Sequence, residues 1–279
     1  MSIVWDSAEP PRREEISAFG WLRILLRGTA LAVLVFGGLA IMLLLRLIER
    51  PLCGHARPVT PHITRSVCKT ALRIIGLRLE VSGAPMRARG AIVANHASWL
   101  DIFALNASKR IYFVSKSEVA RWPGIGWLAR ATGTVFIERN AAKAREQTQV
   151  FRARLLAGHK LLFFPEGTST DGRRVLPFKT TLFQAFLAPE LRAAIAVQPV
   201  TVIYRAPDGA DPRFYGWWGD TSFAAHLRDT LAQRRQGAVK VIYHAPLAVA
   251  AYGDRKALAK ACEDAVREGW LTGSFGTGG

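Results

Sequence analysis

The chain has 279 residues, 50% hydrophobic and 21% charged, which is enough apolar material for a large core and excludes a disordered polymer. Its 38 Lys and Arg outnumber 21 Asp and Glu, and the formal charge of +17 favours an anionic partner: nucleic acid, an anionic lipid surface, or an acidic or phosphate-bearing substrate. Cys53, Cys68 and Cys262 are far apart with no C-x-x-C pair, so neither a disulfide framework nor a metal site is indicated, and a reducing, cytoplasm-facing location is expected.

Between Arg27 and Arg46 lie eighteen uncharged residues, GTALAVLVFGGLAIMLLL. As a helix they would extend about 27 Å, on the border of a bilayer span. The run starts late and no small-residue cleavage site follows before Arg46, which argues against a cleaved signal peptide. Basic residues flank both ends, so their distribution does not orient the segment, and a spanning helix and a re-entrant hairpin both fit. Downstream, Arg65, Lys69 and Arg73 recur every four residues while Ile63, Val67, Ala71, Leu72 and Ile75 fall largely on the other side. Such a helix either lies among lipid headgroups or packs its oily side on its own domain.

From residue 78 onward, seven short runs rich in branched and aromatic residues alternate with helical patterns: LRLEVSG, GAIVANH, RIYFVSK, GTVFIER, KLLFFPE, IAVQPVTVIYR and VKVIYHAPL. The expected fold is α/β, a mixed, largely parallel sheet of about seven strands covered by helices, behind an N-terminal membrane-associated helical segment. Helices are expected over 140–156, 224–233 and 254–268, and Pro199 predicts an edge, bulge or break in the sixth strand. The chain divides into membrane-associated helices (1–78), an α/β domain (79–250), and a C-terminal helix with a frayed tail (251–279).

Within this frame AIVANHASWLD, residues 91–101, sets His96 just past a buried strand, where α/β proteins place ligand-binding and catalytic groups. Asp101 would sit in the first turns of the next helix. A carboxylate folded back onto the imidazole fixes its tautomer and stabilises the imidazolium, leaving the other nitrogen free to take a proton. Ser98 lacks a G-x-S-x-G elbow, so a capping role is expected of it. A second strand, KLLFF, runs directly into Pro165, Glu166, Gly167, Thr168 and Ser169.

The pair NHASWLD and FPEGTST resembles the first and third signature blocks of the glycerolipid acyltransferases, whose best-known members acylate lysophosphatidic acid. Lys116 with Glu118, Pro123 and Gly126 resembles the family's K-x-E linker, GTVFIER ending in Arg139 resembles the second block, and VQPV around Pro199 the fourth. The resemblance implies transfer of an acyl chain from acyl-CoA or acyl carrier protein, as co-substrate and without a cofactor, to a lysolipid hydroxyl. His96 and Asp101 would be catalytic; Arg139, Glu166, Gly167, Thr168 and Ser169 would bind the acceptor; Asn95, Ser98 and Pro165 would support an oxyanion site or the fold.

Many family members that use lysophosphatidic acid carry an arginine directly after E-G-T, where this chain has Ser169. Lys179, Arg173 or Arg174 could supply that charge from further along the loop. A subgroup associated with lyso-ornithine lipid carries E-G-T-S/T and a W-x-G-D-like segment, resembling FPEGTSTDG and GWWGD here. The acceptor is accordingly lysophosphatidate or lyso-ornithine lipid. The rivals are a non-catalytic lipid-binding protein and a thioesterase acting on the same donor; nucleic-acid binding finds no recognition motif. The partners expected are membrane lipids, the lysolipid and the acyl donor, at a bacterial inner membrane with the site facing the cytoplasm.

Overall fold

In the computed structural model, which describes residues 11, 15–54, 56–138 and 144–273, all seven expected strands form and a short eighth joins them. They are β1 (Arg78–Ser82), β2 (Gly90–Ala94), β3 (Tyr112–Lys116), β4 (Val135–Ile137), β5 (Leu161–Phe163), β6 (Ala196–Arg205), β7 (Ala238–Tyr243) and β8 (Leu247–Ala248). The sheet order is β1-β7-β6-β2-β5-β3-β4, with β8 beside the start of β6. Pairings are parallel except those of β6 with β7 and β8. Every residue of β2 is buried, because helices cover both faces of the sheet; this is why the strand reads as an unbroken apolar run.

Pro199 lies inside β6, in mid-sheet, paired with Val93. It is tolerated because β6 changes partner there: residues 196–197 pair with β8 and residues 200–205 with β7, so the missing N–H falls in the gap. The expected break is therefore confined to one side of the strand. Gln198 fills the gap with its amide, donating to Ala84 O and His244 O and accepting from Met86 N.

The helices are α1 (Ala18–Cys53), α2 (Thr60–Ile75), α3 (Leu100–Ser108), α4 (Ile125–Thr132), α5 (Ala144–Leu156), α6 (Pro189–Arg192), α7 (Phe223–Ala232) and α8 (Arg255–Thr272). One face of the sheet is covered by α2, α3 and α7 through Leu72, Ile75, Leu100, Leu105 and Leu231. The other is covered by α5, α8 and a 3-10 turn, Thr180–Leu187, through Leu155, Phe183, Phe186, Leu258 and Val266. The C-terminal helix is thus part of the α/β body. The tail 274–279 lies outside the described residues.

The oily side of α2 is covered by its own domain, with Cys68, Ala71, Leu72 and Ile75 buried, and Arg65 donates to the carbonyls of Ala107 and Ser108 at the end of α3. The apolar run is one continuous helix long enough to cross a membrane, yet only a small part of it is buried. Its contacts run along the domain instead of leaving it. Arg23 donates to Ala232 O at 2.7 Å, Arg27 to Leu231 O and Gln233 O, and Gly38 admits Val67 against its backbone. Glu49 accepts from Val59 N, Thr60 N and the Thr60 hydroxyl, capping α2. From Arg23 to Glu49 this docking extends about 39 Å, while Leu22, Leu25, Leu26, Val33, Leu44 and Leu47 stay exposed on the far side.

Candidate active site

The site is assembled by two loops that leave neighbouring parallel strands at the same edge. After β2 the chain turns through His96-Ala97-Ser98 into α3. Ser98 Oγ accepts from Leu100 N at 3.3 Å, and Asp101 reaches back to Ser98 N at 3.0 Å and Ala97 N at 2.9 Å, a helix-start arrangement of the capping-box kind. The same Asp101 oxygen lies 2.7 Å from His96 Nδ1. Its other oxygen accepts from the Tyr204 hydroxyl at 2.7 Å. Four donors thus compensate a carboxylate with 0% exposure, whereas the imidazole keeps 19% of its surface open.

An ionised carboxylate only accepts, so Nδ1 carries the proton and Nε2 presents its lone pair. Phe164 stacks on the ring at 4.0 Å between centroids and 9° between planes, so the imidazole is held by a hydrogen bond along its edge and an aromatic face beneath it. Burial and the adjoining Asp101 charge push the Tyr204 hydroxyl well above its usual range, keeping it a donor.

After β5 the chain turns through Pro165-Glu166-Gly167. The Glu166 side chain is buried, and its carboxyl oxygens accept from His96 N at 2.7 Å and Leu176 N at 2.8 Å. Desolvation outweighs those two hydrogen bonds and raises its pKa to about 8. Glu166 is therefore a clamp between the two loops. Thr170 completes the seam by donating its N–H to His96 O at 3.0 Å. Asn95, whose side-chain oxygen accepts from Val202 N and whose amide donates to Val202 O, ties the end of β2 to β6. Pro165 O accepts from Lys179 N at 2.9 Å.

A third loop closes the edge. Trp217 N donates to Ala97 O at 2.8 Å, and Gly216 lies so close to the backbone of Asp171 that a Cβ there would approach within 2.7 Å. Trp122 meets Trp217 edge-on at 6.4 Å. GWWGD is thereby built against both signature loops. Thr168 and Ser169 are half-buried in the turn. Arg139 lies outside the described residues. Sequence reasoning missed Phe164 and Tyr204: the first sits inside the quoted FFPE run, and the second becomes visible only when β6 is known to lie beside β2.

The histidine–aspartate pair is open on one side, and the nearby Ser98 hydroxyl is sealed at 0% exposure, an arrangement with the geometry that general-base chemistry requires. The family model described as "Acyltransferase" matches residues 78–203. A lyso-ornithine lipid O-acyltransferase from Rhodobacter capsulatus is 56% identical over 95% of this chain and 96% of its own length. A 1-acyl-sn-glycerol-3-phosphate acyltransferase from Neisseria gonorrhoeae is 41% identical over 42% of this chain and 47% of its own length. The crystal structure of a 1-acyl-sn-glycerophosphate acyltransferase, PlsC, from Thermotoga maritima shares the fold, with a TM-score of 0.63 at 21% identity over 90% of this chain and 95% of that one. The chain belongs to the acyltransferase family, and it is an enzyme of that class.

Proposed function

We propose that the protein transfers a fatty acyl chain from acyl-CoA or acyl carrier protein to the free hydroxyl of lyso-ornithine lipid. The observation that carries this reading is the 56% identity, end to end, with a relative named for that acceptor. The lack of an arginine after Glu166-Gly167-Thr168 points the same way, because ornithine lipid has an amino-acid headgroup and no phosphate.

His96 Nε2 removes the proton from the acceptor hydroxyl as that oxygen attacks the thioester carbonyl. The tetrahedral intermediate collapses with breakage of the carbon–sulfur bond, and the imidazolium returns the proton to the leaving thiol. Asp101 holds the ring and balances its transient charge. The developing oxyanion requires donors that are not already engaged. The amides of His96, Ala97 and Ser98 are taken by carboxylates, and that of Gly167 by Phe164 O. The half-buried Thr168 and Ser169 amides, which bond to no other described residue, are the candidates in this turn.

We place α1 in the plane of the bilayer, its exposed leucines in the acyl boundary and its other side on the domain, at the cytoplasmic face of a bacterial inner membrane where thioester donors are made. The direct test offers the purified enzyme labelled acyl donor with lyso-ornithine lipid and lysophosphatidate in parallel. Preferential labelling of the ornithine lipid is expected. Exclusive use of lysophosphatidate overturns the acceptor assignment, and acyl release into water without either acceptor favours a thioesterase.

A further inference from the structure

The turn after β5 carries a cation that the signature blocks do not include. Gly167 adopts φ +73°, and a Cβ built on it would lie 2.6 Å from Lys179 Nζ and within 3.3 Å of Cδ and Cε. The lysine side chain is thus folded over the glycine, in space that only a residue without a side chain leaves open. Its backbone is fixed on all sides: Lys179 N donates to Pro165 O, Phe178 N to Glu263 at 2.8 Å, and Leu176 N to Glu166 at 2.8 Å. The ammonium itself makes no ion pair with any described residue. Of the other two cations in the loop, Arg174 is drawn to Asp171 at 3.2 Å; Arg173 and Lys179 are both exposed, and of these it is Lys179 that folds against the glycine of the signature turn.

An uncommitted charge folded over Gly167, next in the chain to the Glu166 that accepts from His96 N, is placed for an anionic group on a substrate. The geometry points to Lys179 as the residue that receives the carboxylate of the acceptor's amino-acid headgroup, a specificity contact that rests on the lyso-ornithine reading above. N-acylated ornithine keeps its α-carboxylate, so the acceptor carries one anionic group within a few bonds of its amide. A single ammonium matches that group in charge and size, where a phosphomonoester would call for the paired donors of a guanidinium. Ser169, uncharged, lies in the same turn without competing for it.

The contact can be read by a chemical cycle on the full-length enzyme in mixed micelles, with saturating acyl donor and two acceptors, lyso-ornithine lipid and its methyl ester. For the wild type, the ester should show a KM about 10- to 100-fold higher, the usual worth of a charge-assisted hydrogen bond. Lys179→Ala should raise KM for the free acid by a similar factor, leave kcat within about threefold, and erase the discrimination between acid and ester. Lys179→Arg should restore most of it. Loss of kcat on both acceptors with unchanged discrimination would assign Lys179 to the thioester oxyanion and overturn the proposal, as would a wild type indifferent to esterification. A wild type that turns over lysophosphatidate alone would instead refute the acceptor reading itself, and with it the carboxylate as the target.

Discussion

Two buried carboxyl groups accept from adjacent amides of one loop, Glu166 from His96 N and Asp101 from Ala97 N, and are treated in opposite ways. Asp101 gathers four donors, one of them the imidazole, on a side chain sealed from water. Glu166 gathers two, both backbone amides, and desolvation holds its pKa near 8. The difference teaches that burial alone does not fix the role of an acid. The number and kind of donors decide whether it serves as a charge for chemistry or as a neutral fastener between loops.

The sharpest break in that comparison is to remove what Asp101 serves. His96→Ala should lower turnover by at least 10²-fold while membrane binding persists, measured with labelled donor in mixed micelles; retained turnover would leave the histidine without a catalytic part. Asp101→Asn should cost about 10²-fold in kcat with little change in KM, because an amide cannot accept from all four donors and leaves the ring in the wrong tautomer.

Glu166 sharpens the comparison through pH. Its folded pKa of about 8 exceeds the ~4.3 of an unfolded glutamate, so between those values the folded state holds a proton that the unfolded state has released. The stability contributed by that protonation is complete below about pH 4.3 and is lost as pH rises through 8. Wild-type unfolding in denaturant should therefore come earlier at pH 8.5 than at pH 6.5, and Glu166→Gln should flatten the difference. A slope unchanged in the variant would dismiss Glu166 as its source. The smallest effect is expected from Tyr204→Phe, which withdraws one neutral donor from Asp101: a loss of about 1.5–3 kcal/mol in stability and a several-fold loss in turnover, seen by denaturant titration and steady-state kinetics.

Much of this arrangement was legible in the chain. Seven apolar runs became seven strands, and the pairing of His96 with Asp101 followed from a five-residue offset at a strand end. What stayed hidden depended on neighbours that are remote in sequence. Tyr204 reaches Asp101 because β6 lies parallel to β2, and strand order is not written in the local pattern. The clamp made by Glu166 was likewise hidden, because its motif gives position and not direction, and its partners, the amides of His96 and Leu176, come from outside that motif. The amphipathic stripe of α2 was plain, but whether lipid or protein covered it was decided by where α1 and α3 lie.

The docking of α1 has a practical consequence for anyone wishing to handle the enzyme in water. Arg23 and Arg27 satisfy carbonyls at the end of α7, Gly38 receives Val67, and Glu49 caps α2. Trimming the chain before residue 54 would strip all three at once, exposing a helix end, an apolar seam and an orphaned N-terminus. The greasy helix is a keel bolted to the hull, and a detergent-free catalytic fragment is better sought by repainting its outward leucines than by sawing it off.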